Sequence, residues 1–264
     1  MNIVFEPHIC GGGFFSQFNL VIQGLELYDE LITRVTWNMH DAPAFQYNSG
    51  DIYKPLFEEY VSDKATLSNE TATIKMFFNQ NYTAHLVANK YLSKDHKEWR
   101  LRFNKVYKKY IKHTNYLDEI FTRVFAKQFE FYKDLPKVGV LIRNNNLGVE
   151  QPRKTSPTID TYLNALNKLG LKDFVVVCAI DNKHDLNWFK THFKTIHNSN
   201  TTRSETAHHA EPHHSSQMKL IDAAYHYLEG YALSKCDYFI HPVSNVATGA
   251  LIMNPELKNV FVIG

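Results

Sequence analysis

The sequence predicts an α/β fold, and two features carry that reading. From Lys137 onward, short apolar runs alternate with amphipathic segments, the pattern of successive βαβ units on a parallel sheet. At the start of the chain, a short apolar strand, a glycine loop, a helix and a second strand follow in the same order. Two Rossmann-like domains facing each other across a cleft are therefore expected. The boundary falls near Asp134–Lys137 and gives an N-terminal domain of residues 1–135 and a C-terminal domain of 136–264.

The elements follow in order. Ile3 to Phe5 is the first strand. "FSQFNLVIQGLELYDEL" places Phe18, Val21, Ile22 and Leu25 on one helical face. "ITRVTWNM" is rich in β-branched residues and reads as the second strand. Tyr53 to Tyr132 reads as mostly helical. Within it, "KDHKEWRLRFNKVYKKYIK" sets Trp99, Phe103, Val106, Tyr107, Tyr110 and Ile111 on one face. Lys94, Lys97, Arg100, Arg102, Lys105, Lys108, Lys109 and Lys112 occupy the remaining positions. That face is either a solvated basic surface or a surface for an anionic partner.

In the second half, Val138 to Ile142 is a near-continuous apolar run, as expected of a strand buried on both faces. A helix follows in "SPTIDTYLNALNKLG", with Pro157 near its start and Gly170 past its end. Then come the strand "DFVVVCAID", the helix "NKHDLNWFKTHF" and a polar loop to about Ser216. The helix "QMKLIDAAYHYLEGYALSK", the strand "CDYFIHP", the turn and helix "SNVATGALIMN" and the strand "KNVFVIG" complete the chain.

Composition narrows the function. With 264 residues, 44% hydrophobic and 14% aromatic, the chain is globular with a sizeable core. A net charge of +2 argues against a dedicated nucleic-acid binder. Cys10, Cys178 and Cys236 are widely spaced and read as reduced core thiols. No apolar run is long enough for a membrane span, and no secretory signal is recognisable, so a cytoplasmic location is expected, with a bacterial or viral source fitting best.

Ligands of open α/β sheets bind beyond the carboxyl ends of the strands. Four polar clusters fall there. Gly11, Gly12 and Gly13 follow the first strand; they suit close approach of an anionic ligand to backbone N–H groups, or a tight turn. The loop has neither the dinucleotide nor the P-loop spacing. Arg143 ends its strand and can hold a diphosphate bidentately, or cap the strand in a salt bridge. Asp181 ends the next strand. Ser244, Asn245 and Thr248 open a helix, as a phosphate cradle or an N-cap. The tract "HHAEPHH", with His208, His209, His213 and His214, lies in a polar loop without metal-ligand spacing, and no metal site is expected. It reads as a loop near the site, and His214 is placed with the ligand-binding set. No D-x-D triplet is present to hold a nucleotide diphosphate through a metal.

Four segments in this order resemble the GT-B fucosyltransferases. "GGGFFSQFN" resembles their "GGG-x-x-x-Q" opening, and "VGVLIRNNN" their "GVH-x-R" strand and loop. "VVVCAIDN" resembles their later strand ending in aspartate. "YLEGYALSKCDYFIHPVSNVATGALI" resembles their "D-x-x-x-LS-x-CD…S-x-S" segment. The resemblance implies a metal-independent glycosyltransferase that needs no cofactor beyond a nucleotide-sugar co-substrate, with GDP-fucose as the first donor and a glycan or glycoprotein as acceptor. It implies that Arg143 binds the donor pyrophosphate and stabilises the leaving nucleotide. Ser244, Asn245 and Thr248 match the positions that hold the β-phosphate, and Asp181 the one that contacts the nucleoside. The glycine loop would let the N-terminal half approach the donor. Departures are Leu141 for the family's histidine, Asn144 for a second arginine, Asn146 for an acid and Glu229 for an aspartate. They leave a UDP-sugar such as UDP-xylose open as donor.

An inverting transfer needs a base for the acceptor hydroxyl. Glu6, His8, His40 and Asp41 lie at the ends of the first two strands, and Asp41 and His8 are the first choices. Trp37, Phe45 and Tyr47 there suit sugar stacking or packing. A nucleotide-sugar epimerase or hydrolase is disfavoured by the missing dinucleotide fingerprint. A non-catalytic nucleotide- or carbohydrate-binding module would keep the cradle and need no base.

Overall fold

The computed structural model describes residues 2–8, 14–36, 53–62, 71–77, 96–143, 157–201 and 216–262. The chain forms two compact units: residues 1–120 with 214–227, and residues 121–213 with 228–264.

In the first unit, β1 (Asn2–His8) is flanked by two parallel neighbours, β2 (Arg34–Thr36) and β4 (Thr71–Phe77). β3 (Tyr60–Val61) adds an antiparallel edge on β2, so the sheet order is β3-β2-β1-β4. Strands β3 and β4 correct the expectation of a mostly helical stretch from Tyr53. In "TATIKMF", threonines alternate with apolar residues and a lysine sits in the middle, so no continuous apolar run marks the strand. Seven successive partners on β1, from Asn2↔Thr71 to His8↔Phe77, define it instead.

The helices of this unit are α1 (Phe14–Leu27), the short α2 (Tyr53–Leu56), α3 (His96–Tyr110) and α4 (Asn115–Phe121). α1 buries Phe14, Phe18, Val21, Ile22 and Leu25 at helical spacing. α3 buries Trp99, Phe103, Val106, Tyr107 and Tyr110, as expected. It also buries Arg100, which therefore does not belong to the exposed basic face.

The unit's core holds a cluster of rings among its aliphatic side chains. Tyr227 packs against Phe57 at 5.0 Å, Phe18 at 5.7 Å, Phe14 at 5.8 Å and Phe15 at 6.3 Å between centroids. Its hydroxyl is tied on two sides, to Tyr107 Oη at 3.0 Å and His113 Nε2 at 2.8 Å. His113 Nδ1 in turn meets Asp118 Oδ1 at 2.9 Å. A polar chain thus runs from an exposed carboxylate into the ring cluster and satisfies groups that would be costly to bury alone.

In the second unit, α4 continues through a single π-helical turn, Thr122–Ala126, into α5 (Lys127–Phe131). β5 (Lys137–Ile142), β6 (Val175–Ile180), β7 (Thr195–His197), β8 (Tyr238–His241) and β9 (Lys258–Phe261) form one parallel sheet in the order β7-β6-β5-β8-β9. Strand β7 is an addition to the expectation; three residues are too short for a readable pattern.

The connecting helices are α6 (Ile159–Lys168), α7 (Lys183–His192), α8 (Ser216–Ser234) and α9 (Asn245–Met253). Residues 216–227 of α8 go with the first unit and the rest of the helix with the second. Past α6, Gly170 takes φ 65°, a left-handed position natural to glycine at a helix end. β6 is buried along its whole length, and β5 from Val138 onward. Each valine, leucine or isoleucine so withdrawn from water contributes about 1.5–3 kcal/mol. Cys178 and Cys236 are buried free thiols, and burial pushes the Cys236 thiol well up.

Candidate functional site

The sheet order of the second unit decides where a ligand can enter. The chain starts at the central strand β5, moves out through β6 and β7, then returns to the other side of β5 as β8 and β9. The winding direction reverses between β5 and β8, and a crevice outside the carboxyl ends of the strands opens at such a reversal. Arg143 directly follows β5, and Ser244 lies just beyond β8. These two predicted residues therefore stand at the ends of the two strands that flank the reversal. Asp181 directly follows β6, the next strand over.

Arg143 Nε lies 4.0 Å from Asp181 Oδ2, and both side chains are partly buried. The Asp181 backbone N–H donates to the Ile142 carbonyl at 3.3 Å, which ties the ends of β5 and β6 together. The cation is thus held beside a carboxylate at long ion-pair distance and keeps donor groups for a second anion.

On the other side of β5, Ser244 is the N-cap of α9. Its hydroxyl accepts from the Val246 N–H at 3.2 Å. Asn245 opens the helix. Thr248 is buried one turn in, where its hydroxyl donates to the Ser244 carbonyl at 3.3 Å. The side chain of Thr248 braces the first turn, while Ser244 and Asn245 form its outer end. His241 ends β8 fully buried; its Nδ1 donates to the Pro242 carbonyl at 3.0 Å and fixes the turn that leads to Ser244.

Beneath Asp181 the structure adds two groups that the sequence reading passed over. Asp185 is buried in the first turn of α7 and exchanges hydrogen bonds with the cap residue Asn182, N–H to Oδ1 at 2.8 Å and Nδ2 to Oδ2 at 2.7 Å. The N-x-x-D spacing is a capping-box signal that could have found it. Tyr162 of α6 is fully buried, and its hydroxyl has no hydrogen-bond partner among the described residues. Burial first, then the charges of Asp181 and Asp185, push its phenol far above the ordinary value.

Much of the last motif segment is scaffold. A Cβ on Gly139 would meet Leu233 Cδ2 at 3.0 Å, Phe239 Cδ2 at 3.2 Å and Cys236 Sγ at 3.3 Å. The glycine of "VGVLIR" and the leucine and cysteine of "LSKCD" are therefore one packing contact. Asp237 accepts from the Lys137 N–H at 2.8 Å and donates its own N–H to the Lys137 carbonyl at 2.9 Å, at the amino end of β5, away from the carboxyl edge. Glu229 is buried, and its Oε1 accepts from Thr201 Oγ1 at 2.8 Å.

His8 ends β1, opposite Phe77 of β4. Gly11, Gly12, Gly13, Asp41 and His214 lie outside the described residues. Among the described residues, no group of His, Cys, Asp or Glu is placed to hold a metal ion, and no helix is long and apolar enough to cross a membrane.

No protein-family model and no curated protein sequence matches the chain. Solved structures do. Fucosyltransferase NodZ from Bradyrhizobium matches with a TM-score of 0.53 at 14% identity, covering 96% of this chain and 93% of that one. NodZ alpha-1,6-fucosyltransferase soaked with GDP-fucose matches with a TM-score of 0.50 at 13% identity, covering 96% and 92%. Against NodZ alpha-1,6-fucosyltransferase co-crystallized with GDP, the TM-score is 0.43 at 14% identity; 71% of this chain spans about half, 54%, of that one. The chain has the fold of the GT-B class. Within that class, its fold is fucosyltransferase-like.

Proposed function

We propose that this protein is a glycosyltransferase that takes its sugar from a nucleotide-sugar donor, with GDP-fucose as the first donor and a glycan or glycoprotein as acceptor. One observation carries the reading: Arg143 and the capped start of α9 end the two strands that flank the winding reversal of the second sheet. A guanidinium and a helix N-terminus together suit a diphosphate. The likeness to a fucosyltransferase soaked with GDP-fucose supports the choice of donor.

In this reading the second unit is the donor side. Arg143, Ser244 and Asn245 hold the diphosphate, with Thr248 bracing them, and Asp181 faces the nucleoside. Charge that develops on the departing diphosphate is stabilised by Arg143 and the helix N-terminus, with no metal required. Gly11–Gly13 and His214 are assigned to donor binding as well. The first unit is the acceptor side, and Asp41 or His8 removes the acceptor proton in an inverting transfer. Leu141 and Asn144, where the resembled family has basic residues, favour a UDP-sugar such as UDP-xylose as the second reading.

Thermal melting with GDP, UDP, GDP-fucose, UDP-xylose, UDP-galactose and UDP-glucose, with and without Mn²⁺, tests this directly. A ligand at a hundredfold excess over its Kd adds about 2.7 kcal/mol of stability. A shift with one nucleotide, equal with and without metal, selects the base. No shift with any of them sinks the proposal.

A further inference from the structure

The donor chemistry proposed above makes no use of the basic helix. Between His96 and Lys112 the chain carries seven cationic side chains and one carboxylate, in a protein whose net charge is only +2. Arg100 is buried, and the other cations of α3 and its end are exposed or partly so. Two of them are already neutralised: Arg102 Nε pairs with Glu26 at 2.8 Å, and Lys109 Nζ with Asp29 at 2.7 Å. Among the described residues, Lys105, Lys108 and Lys112 form no ion pair, and all three are exposed.

The same place carries apolar side chains that the core does not use. Leu27 is 71% exposed and Leu31 55% exposed, in the turn that ends α1. They line one groove of about 480 Å³ with Tyr28, Arg102 and Lys105. Leu101, four residues before Lys105 on the outer face of α3, is also exposed. The turn is held firmly: Asp29 Oδ1 accepts from Tyr110 Oη and from Lys109 Nζ, each at 2.7 Å. The leucines are therefore presented on a fixed support beside the lysines.

We propose that the end of α1 and the outer face of α3 form a docking surface for an anionic lipid bilayer. Lysines facing phosphate headgroups, next to leucines and a tyrosine that enter the interfacial layer, make the combination that binds such a surface. A nucleic acid would use the cations and have no need of exposed Leu27 and Leu31. Glu30, the remaining carboxylate of the groove, opposes binding.

The test is co-sedimentation of the full chain with phosphatidylcholine vesicles and with vesicles containing about one-third phosphatidylglycerol, at low and at physiological salt. Binding is expected to the anionic vesicles alone and to weaken with salt. Lys105→Glu/Lys108→Glu/Lys112→Glu should lower it by at least fivefold per lysine, since each cation near an anionic surface is worth about 1 kcal/mol. Leu27→Ser/Leu31→Ser should lower it several-fold at unchanged charge, and Glu30→Lys should raise it, which a misfolded variant could not do. Absence of binding at low salt overturns the proposal, as does full retention by the triple variant. If the leucine variant binds as well as the parent and heparin competes equally for both, the surface is a general polyanion site and the bilayer is wrong.

Discussion

The residues that fill the first unit combine aliphatic side chains with many rings drawn from distant parts of the chain: Phe14 and Phe18, Phe57, Tyr107 and Tyr227, with His113 at the edge. Those that fill the second are mainly aliphatic side chains of β5, β6 and β8 with one face of α6 and α7. Both units build outward on either side of a central first strand, the first with an antiparallel edge and the second with parallel strands alone, and the means of holding the sheet differs. An aliphatic core on a parallel sheet tolerates chemistry at the strand ends, because its packing ends where the strands do. A ring cluster with an internal polar chain is coupled throughout. Chemistry and stability should therefore separate in the second unit and stay linked in the first.

The largest expected effect tests that separation. Arg143 stands at the edge of the sheet, partly exposed. Arg143→Ala should lower kcat with the best donor by about 10²–10³-fold, the usual loss when a group that stabilises developing charge is removed. Its thermal midpoint should match the parent's. A variant that melts early would show that Arg143 holds the strand ends together, and a folded variant of full activity would leave a binding role alone.

Gly139 probes the interior of the same sheet. The valine side chain cannot fit between Leu233, Phe239 and Cys236 without displacing them. Gly139→Val should cost about 1–3 kcal/mol in denaturant unfolding. Donor affinity of the folded fraction should hold, since the contact lies inside the sheet and Arg143 lies at its end. A collapse of affinity in a folded variant would mean that edge and interior are coupled after all.

In the first unit, Tyr227→Phe keeps the ring and removes the hydroxyl that joins Tyr107 to His113. The loss should be about 1–2 kcal/mol, the cost of leaving buried polar groups short of a partner. A double-mutant cycle with His113→Gln should show non-additivity, because the chain Asp118–His113–Tyr227–Tyr107 acts as one unit. Additive losses would dissolve the contrast between the two cores.

The same contrast governs what could be read in advance. β5, β6 and β8 are legible because strands covered on both faces leave apolar runs that stop abruptly, and the stops mark Arg143, Asp181 and Ser244. The convergence of those residues at one edge was not legible, since it depends on a strand order that no local pattern encodes. β4 was missed because threonines and Lys75 interrupt its sequence and leave no continuous apolar run. The Tyr107–His113–Tyr227 link was missed because Tyr227 lies far along the chain from the other two. Thr248 was identified correctly as part of a helix start, yet its hydroxyl turns back to the Ser244 carbonyl, a choice between cradle and brace that residue type does not make. The aspartate of "LSKCD" belongs to a segment shared with the resembled family, and it caps the start of β5 through the backbone of Lys137.

The smallest expected effect comes from Tyr162. Its ring belongs to the second unit's core, and its hydroxyl is buried without a hydrogen-bond partner among the described residues. A polar group in that state contributes nothing that offsets its lost hydration, so removing it should be neutral or slightly stabilising. Tyr162→Phe is therefore expected to change unfolding stability by no more than about 0.5 kcal/mol, and in the stabilising direction if at all. The sign is the informative part. Asp181 and Asp185 both act on this phenol through their charge, and Asp181 is the carboxylate beside Arg143. A loss above about 1 kcal/mol would mean that the hydroxyl has a partner beyond the described residues. In that case the floor beneath Asp181 is a hydrogen-bonded part of the site, and the aliphatic unit couples its core to its edge as the ring-filled unit does.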